Sequence, residues 1–165
     1  MPGTYELIQS YTLPSSQANY TFTGISQSYT DLVFTMSGSC TLGEGALLIQ
    51  VGNGSIDTGN NYSYGYIYSA GSSVGRDYQP TTTSGSVGRV DTTNGAGLVH
   101  INNYSGTNGF KTILSHGVNG AVGLVQLQQS TWRNTSAINQ IRVFPEQGGS
   151  LNTGYKLTLY GILKA

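Results

Sequence analysis

Asn-Gly steps at Asn53-Gly54, Asn94-Gly95, Asn108-Gly109 and Asn119-Gly120 punctuate this chain, and most of the residues flanking them alternate apolar with small polar side chains. A type I′ turn needs a positive backbone dihedral at both central residues. Glycine tolerates that freely and asparagine better than most, so each pair predicts a tight antiparallel reversal. The expected fold class is all-β. Candidate strands fall near residues 5–12, 18–25, 31–37, 46–51, 62–68, 97–103, 110–116, 121–129, 139–144 and 155–163, about ten in all.

Period-two patterning is clear in Leu47, Ile49 and Val51, in Ile141 and Val143, and in Tyr155, Leu157 and Leu159, each set turning one face toward a core. Between residues 121 and 127 the period slips. Val122 and Leu124 share one parity, Val125 and Leu127 the other, so either Gly123 sits at a bulge or the strand is buried on both faces. The glycine-free stretch 124–147 lacks a helical period and leaves room for at most a short helical turn around Arg133 to Ala137. Residues 69–87 show no apolar periodicity and read as a long exposed loop. Strands this numerous, with turns every ten residues or so, predict a jelly-roll-like antiparallel β-sandwich forming a single domain over residues 1–165.

Seven acidic and seven basic residues cancel and are scattered singly apart from Arg76-Asp77, which leaves no basic stripe for phosphates or anionic lipid. Nucleic acid and membrane surfaces are therefore not expected partners. Only 8% of residues are charged, so Ser, Thr, Asn, Gln, Tyr and Gly must cover the exterior. Weak colloidal repulsion of this kind suits a part of a large assembly. The opening MPGTYELIQSYTL lacks a basic leader and an unbroken apolar segment, and the expectation is a chain made and at first kept in a cytosol. Cys40 is the single cysteine, which excludes an internal disulfide and predicts a small buried core residue.

No catalytic pattern stands out. His100 and His116 each lie in a candidate strand with no carboxylate within a few residues, so a structural or solvent-facing role is expected and no metal site. There is no G-x-S-x-G elbow, phosphate loop or calcium loop. Among Glu6, Asp31, Glu44, Asp57, Asp77, Asp91 and Glu146, spacing favours no pair for glycosidase chemistry; Asp31 and Glu146 sit where carboxylates cap backbone donors. The expectation is no enzyme, with no catalytic residue and no cofactor. The most unusual local feature is YSYGYIY, in which Tyr62, Tyr64, Tyr66 and Tyr68 share parity and project from one face. Such a row serves either as a contact surface for sugars or proteins or as cross-strand packing. Trp132 has no second aromatic nearby and reads as a core or interface anchor.

The opening YELIQSYTLPSSQANYTFTGISQSYTDLVFTMSGS, residues 5–39, has a "Y-E-L-I" strand, a Ser-rich turn, then an aromatic strand and "Y-T-D-L-V"; the close, residues 149–165, ends on GYKLTLYGILKA. These two ends resemble a family of small structural proteins of tailed bacteriophages, many of them marine. The resemblance implies a jelly-roll sandwich displayed on the virion as a capsid decoration or cement protein, or as a head-fibre or tail-associated module. It further implies assembly in the bacterial host cytoplasm, a homotrimer, and the major capsid protein or other virion proteins as partners. The first strand starts within a few residues of Met1 with no coiled-coil arm, which favours a compact cap or cement over a long fibre. A second expectation, of a different class, is a carbohydrate-binding module that engages host surface glycans through the tyrosine row.

Overall fold

The computed structural model describes residues 4–120 and 123–163, and among these no residue is helical. Thirteen strands follow in chain order: β1 (Tyr5–Thr12), β2 (Tyr20–Phe22), β3 (Asp31–Gly38), β4 (Glu44–Asn53), β5 (Ser55–Ile56), β6 (Tyr62–Ala70), β7 (Ser73–Thr82), β8 (Gly85–Asp91), β9 (Gly95–Asn102), β10 (Lys111–Asn119), β11 (Leu124–Trp132), β12 (Gln140–Pro145) and β13 (Lys156–Ile162). They form two antiparallel sheets packed as a jelly-roll-like β-sandwich. The larger has eight strands in the order β1-β13-β3-β9-β10-β11-β6-β7; the smaller runs β2-β12-β4-β5, with β8 also pairing β4.

Alternation builds the core as expected. Leu47, Ile49 and Val51 of β4, Ile141 and Val143 of β12, and Leu157 and Leu159 of β13 are fully buried between the sheets, with Phe22, Phe34 and Ile113 among them. Strands of period two turn every second side chain inward, and each large aliphatic so buried contributes roughly 1.5–3 kcal/mol of transfer free energy. Cys40 is free and completely buried, as its isolation predicts.

Residues 69–87 are not a loop. They carry β7 and the start of β8, and each lacks apolar period for its own reason. β7 is an edge strand exposed along almost its whole length, so neither face demands hydrophobic side chains. β8 is buried throughout apart from Arg89, but where it crosses β11 it comes too close for side chains. A Cβ on Gly85 would lie 2.8 Å from Ser130 Cβ and 2.9 Å from Ile49 Cγ2. The Ser130 hydroxyl instead accepts the Ser86 N–H at 2.9 Å and donates to the Ser86 carbonyl at 2.8 Å.

The period slip near Gly123 also resolves differently. Gly123 belongs to the turn before β11, with φ +58°, so there is neither a bulge nor two-sided burial. From Leu124 the strand alternates regularly with Gln126, Gln128 and Ser130 buried and Val125 and Leu127 exposed. Val122, the other member of the first parity set, lies outside the described residues. No helical turn forms at 133–137, where the Asn134 side chain takes the Ser136 N–H at 2.8 Å.

The Asn-Gly steps mark three reversals rather than four, and none of their asparagines takes a positive φ; the non-glycine residues that do, among those described, are Asn103 and Gln147. Asn53-Gly54 closes a tight hairpin in which Asn53 pairs with Ser55 and Gly54 alone has φ +77°. Asn119-Gly120 opens the β10–β11 connection, and Asn108-Gly109 lies in the longer loop between β9 and β10. Asn94-Gly95 carries the chain from β8 in one sheet to β9 in the other. Its path is set by Asp91, whose Oδ1 accepts the Thr93 N–H at 2.6 Å and hydroxyl at 2.7 Å.

At one end of the sandwich the loops are tied by polar side chains. Asp57 accepts from Gly59 N–H at 2.9 Å, from Asn61 Nδ2 at 2.9 Å and from Trp132 Nε1 at 2.8 Å. Burial alone would raise this carboxyl, yet the Trp132, Gly59 and Asn61 donors outweigh it and hold the group below its ordinary range. Lys111, fully buried, donates from Nζ to the carbonyls of Gly106, Gly109 and Thr135, and burial lowers its pKa.

Two stability measurements follow. Gly85→Ala lowers stability by about 1–3 kcal/mol through overpacking against Ser130 and Ile49, whereas Gly109→Ala, with open space around the added methyl, changes it by less than about 0.5 kcal/mol in urea melts. Asp57 has a folded pKa below its unfolded value near 3.8, so its contribution is complete above that value and is lost as pH falls through the folded pKa. Asp57→Asn is therefore less stable than wild type at pH 7, and the difference shrinks in melts taken at progressively more acid pH.

Candidate interaction surface

Tyr62, Tyr64, Tyr66 and Tyr68 do share one face of β6, and it is the inner one. Tyr62 is completely buried: its hydroxyl accepts the Val51 N–H at 3.0 Å and lies 3.0 Å from the carbonyls of Val51 and Asp57. Tyr64, Tyr66 and Tyr68 are half-buried beyond the cover of the smaller sheet. Tyr64 and Tyr66 stack with centroids 6.3 Å apart, and Tyr68 lies over Gly75 of β7, whose missing side chain makes room for the ring. Ring area that a platform would offer outward is thus used within the molecule. Burial first, then Tyr66 and the carboxylates of Glu146 and Asp77, push the Tyr64 phenol upward; burial, then Asp77, do the same for Tyr66 against the lowering effect of Arg89. These phenols stay neutral at physiological pH. Trp132 is a buried anchor, as its sequence context predicts.

The acids are mostly committed to local structure. Asp31 accepts the Asn103 N–H at 2.7 Å and approaches His100 Nε2 at 3.2 Å; Glu146 accepts the Ala46 N–H at 2.8 Å; Glu44 pairs with Arg89 at 3.1 Å. His116 is exposed. Among the described residues no three His, Cys, Asp or Glu side chains gather as a metal site would require. The chemistry open to these groups is capping and pairing.

The feature that sequence reasoning missed is the outer face of the eight-stranded sheet. Register places Leu98, His116, Leu127, Ile67 and Arg76 in one row across β9, β10, β11, β6 and β7, because Leu98 pairs His116, His116 pairs Leu127, Leu127 pairs Ile67 and Ile67 pairs Arg76. The next row holds Val118, Val125, Ser69 and Val74. Val118, Val125, Leu127 and Ile67 expose 49–57% of their surface and Val74 82%. Gly65 leaves a dent in this face, a cavity of ≈ 760 Å³ bordered by Ile67, Arg76, Tyr78, Leu127 and Gln129. A neighbouring apolar hollow of ≈ 530 Å³ lies between Ile67, Val74, Val125 and Leu127. The signal in the sequence was slight: Val125 and Leu127 share one parity on β11, and parity alone does not say which set faces outward.

No protein-family model and no curated protein matches the chain. Among solved structures it is similar to the alginate lyase Aly36B, at 12% identity and TM-score 0.36 over 94% of this chain and 81% of that one. It is also similar to the galectin LEC-6 of Caenorhabditis elegans, at 10% identity and TM-score 0.41 over 91% and 94% of the two chains. A PL-14 alginate lyase from Aplysia kurodai aligns at 12% identity and TM-score 0.34, over 86% of this chain and 72% of that one.

Proposed function

We propose that this chain is a non-enzymatic structural protein of a tailed-phage particle, decorating or cementing the capsid, and that the outer face of its eight-stranded sheet is the contact surface. The observation that carries this reading is the aliphatic block of Ile67, Val74, Val118, Val125 and Leu127, left in solvent on a regular sheet. Five strands about 4.8 Å apart and three rows of side chains, the third running Leu114, Gln129, Gly65 and Tyr78, give a face on the order of 500 Å². That is at the upper end for a free monomer and a large part of the ~800 Å² that each partner contributes to a stable interface. Its formal charge is Arg76, so a partner meets mostly apolar surface and needs little charge matching. The resemblance of both chain ends to phage structural proteins supplies the setting: a homotrimer bound to the major capsid protein or another virion protein. Acids that cap backbone and a tyrosine row packed into the fold favour contact over catalysis and over glycan binding.

The native mass is expected at about three times the 17.4 kDa monomer, and the protein is expected in purified particles by mass spectrometry. Val125→Thr with Leu127→Lys, both at exposed positions, should abolish particle association while changing the free energy of unfolding in urea melts by less than about 1 kcal/mol. A strictly monomeric protein absent from particles would refute the proposal.

A further inference from the structure

Strand β7 ends the larger sheet, and eight of its ten residues are exposed, which makes it an open template for another strand. Outward-facing Val74, Arg76 and Tyr78 alternate on it with Gly75, Asp77 and Gln79, which pair the inward tyrosines of β6. A register shift opposite Tyr62–Tyr64 ends the regular stretch near Pro80. Pro80 and that shift blunt one end of the edge, and the Arg76-Asp77 step occupies its middle.

Two copies pairing antiparallel along this edge are related by a rotation that keeps both outer faces on the same side, so outer residues can oppose only outer residues. The regular stretch Ser73–Gln79 pairs over its whole length in one register, centred on Arg76, which sets that guanidinium against its own counterpart. Registers shifted by one residue, centred on Gly75 or Asp77, keep fewer pairs, and the second of these sets carboxylate against carboxylate. Like charges directly opposite one another destabilise a ladder. The Asp77 carboxylate also takes the Tyr78 N–H at 2.7 Å, which occupies an edge donor from within. A strand from a different protein is not bound by this symmetry. In antiparallel pairing the residue opposite Asp77 immediately precedes the one opposite Arg76. A basic residue followed directly by an acidic one therefore satisfies both charges, on opposite faces, and a cation opposite Asp77 draws the carboxylate off the Tyr78 donor.

We propose that β7 is a docking edge for an extended segment of another protein that carries a basic-acidic step, and that Arg76 opposes the longest pairing of this edge with a second copy. Val74 and Arg76 also border the outer face, but the contacts in question here are those of the strand's free edge. The probe is a blocked, fluorescently labelled octapeptide of alternating threonine and valine with a central lysine-glutamate step, compared with its glutamate-lysine isomer by anisotropy. The first is expected to bind about tenfold more tightly than the second, and Arg76→Asp with Asp77→Arg should invert the preference. Equal binding of the two peptides, or none, would overturn the docking assignment. The Val125→Thr, Leu127→Lys protein should keep the preference, and its loss there would mean that the sheet face rather than the edge holds the peptide. Arg76→Thr with Asp77→Thr should raise the native mass above that of wild type by sedimentation velocity, and an unchanged mass would remove the opposing role of Arg76.

Discussion

The Ser130 hydroxyl, held between the amide and carbonyl of Ser86, fixes how closely β8 lies against the larger sheet, and the character of β11 depends on that distance. The approach is closest at that crossing, where Gly85 has no side chain and β11 carries only a serine, while the rest of its inner face holds the larger Leu124, Gln126, Gln128 and Trp132. The parity that puts Ser130 at the crossing is the parity that turns Val125 and Leu127 outward. The exposed apolar face is therefore tied to the close packing behind it.

The two ends of the eight-stranded sheet are treated unequally. β1 and β13 pair along nearly their whole length with one register shift between Leu7 and Gln9, and Ile8 and Tyr11 pack against the core at that side. At the other side β6 and β7 run past the cover of the smaller sheet, and the tyrosines there do the shielding that a second layer performs elsewhere. Tyr62 belongs to the core, while Tyr64 to Tyr68 close the mouth between the sheets. One row of like residues thus carries a graded duty along a single strand.

Much of this was legible in the chain. Leu47-Ile49-Val51 and Ile141-Val143 announced their strands because each has one wet or crowded neighbour face and one dry one, and period two is the trace of that asymmetry. The parity of the tyrosine row was equally readable, but not the side it faces, since alternation fixes which residues travel together and not which way the set points. β7 and β8 escaped because pattern fails at both extremes: a strand exposed on both faces, and one buried on both, with Val87 and Val90 of opposite parity set among Gly85, Ser86 and Gly88, show no hydrophobic alternation. Asn94-Gly95 misled because turn chemistry records a local reversal of direction and is silent on whether the chain changes layer.

Lys111 shows how the loop end is kept in shape. Its ammonium sits among carbonyl oxygens of Gly106, Gly109 and Thr135 in the manner of a cation wrapped by a coordinating loop. Here the ion is covalently tethered to the strand that follows the loop, so neither dilution nor a chelator can strip it, and the loop's organisation is as permanent as the polypeptide itself.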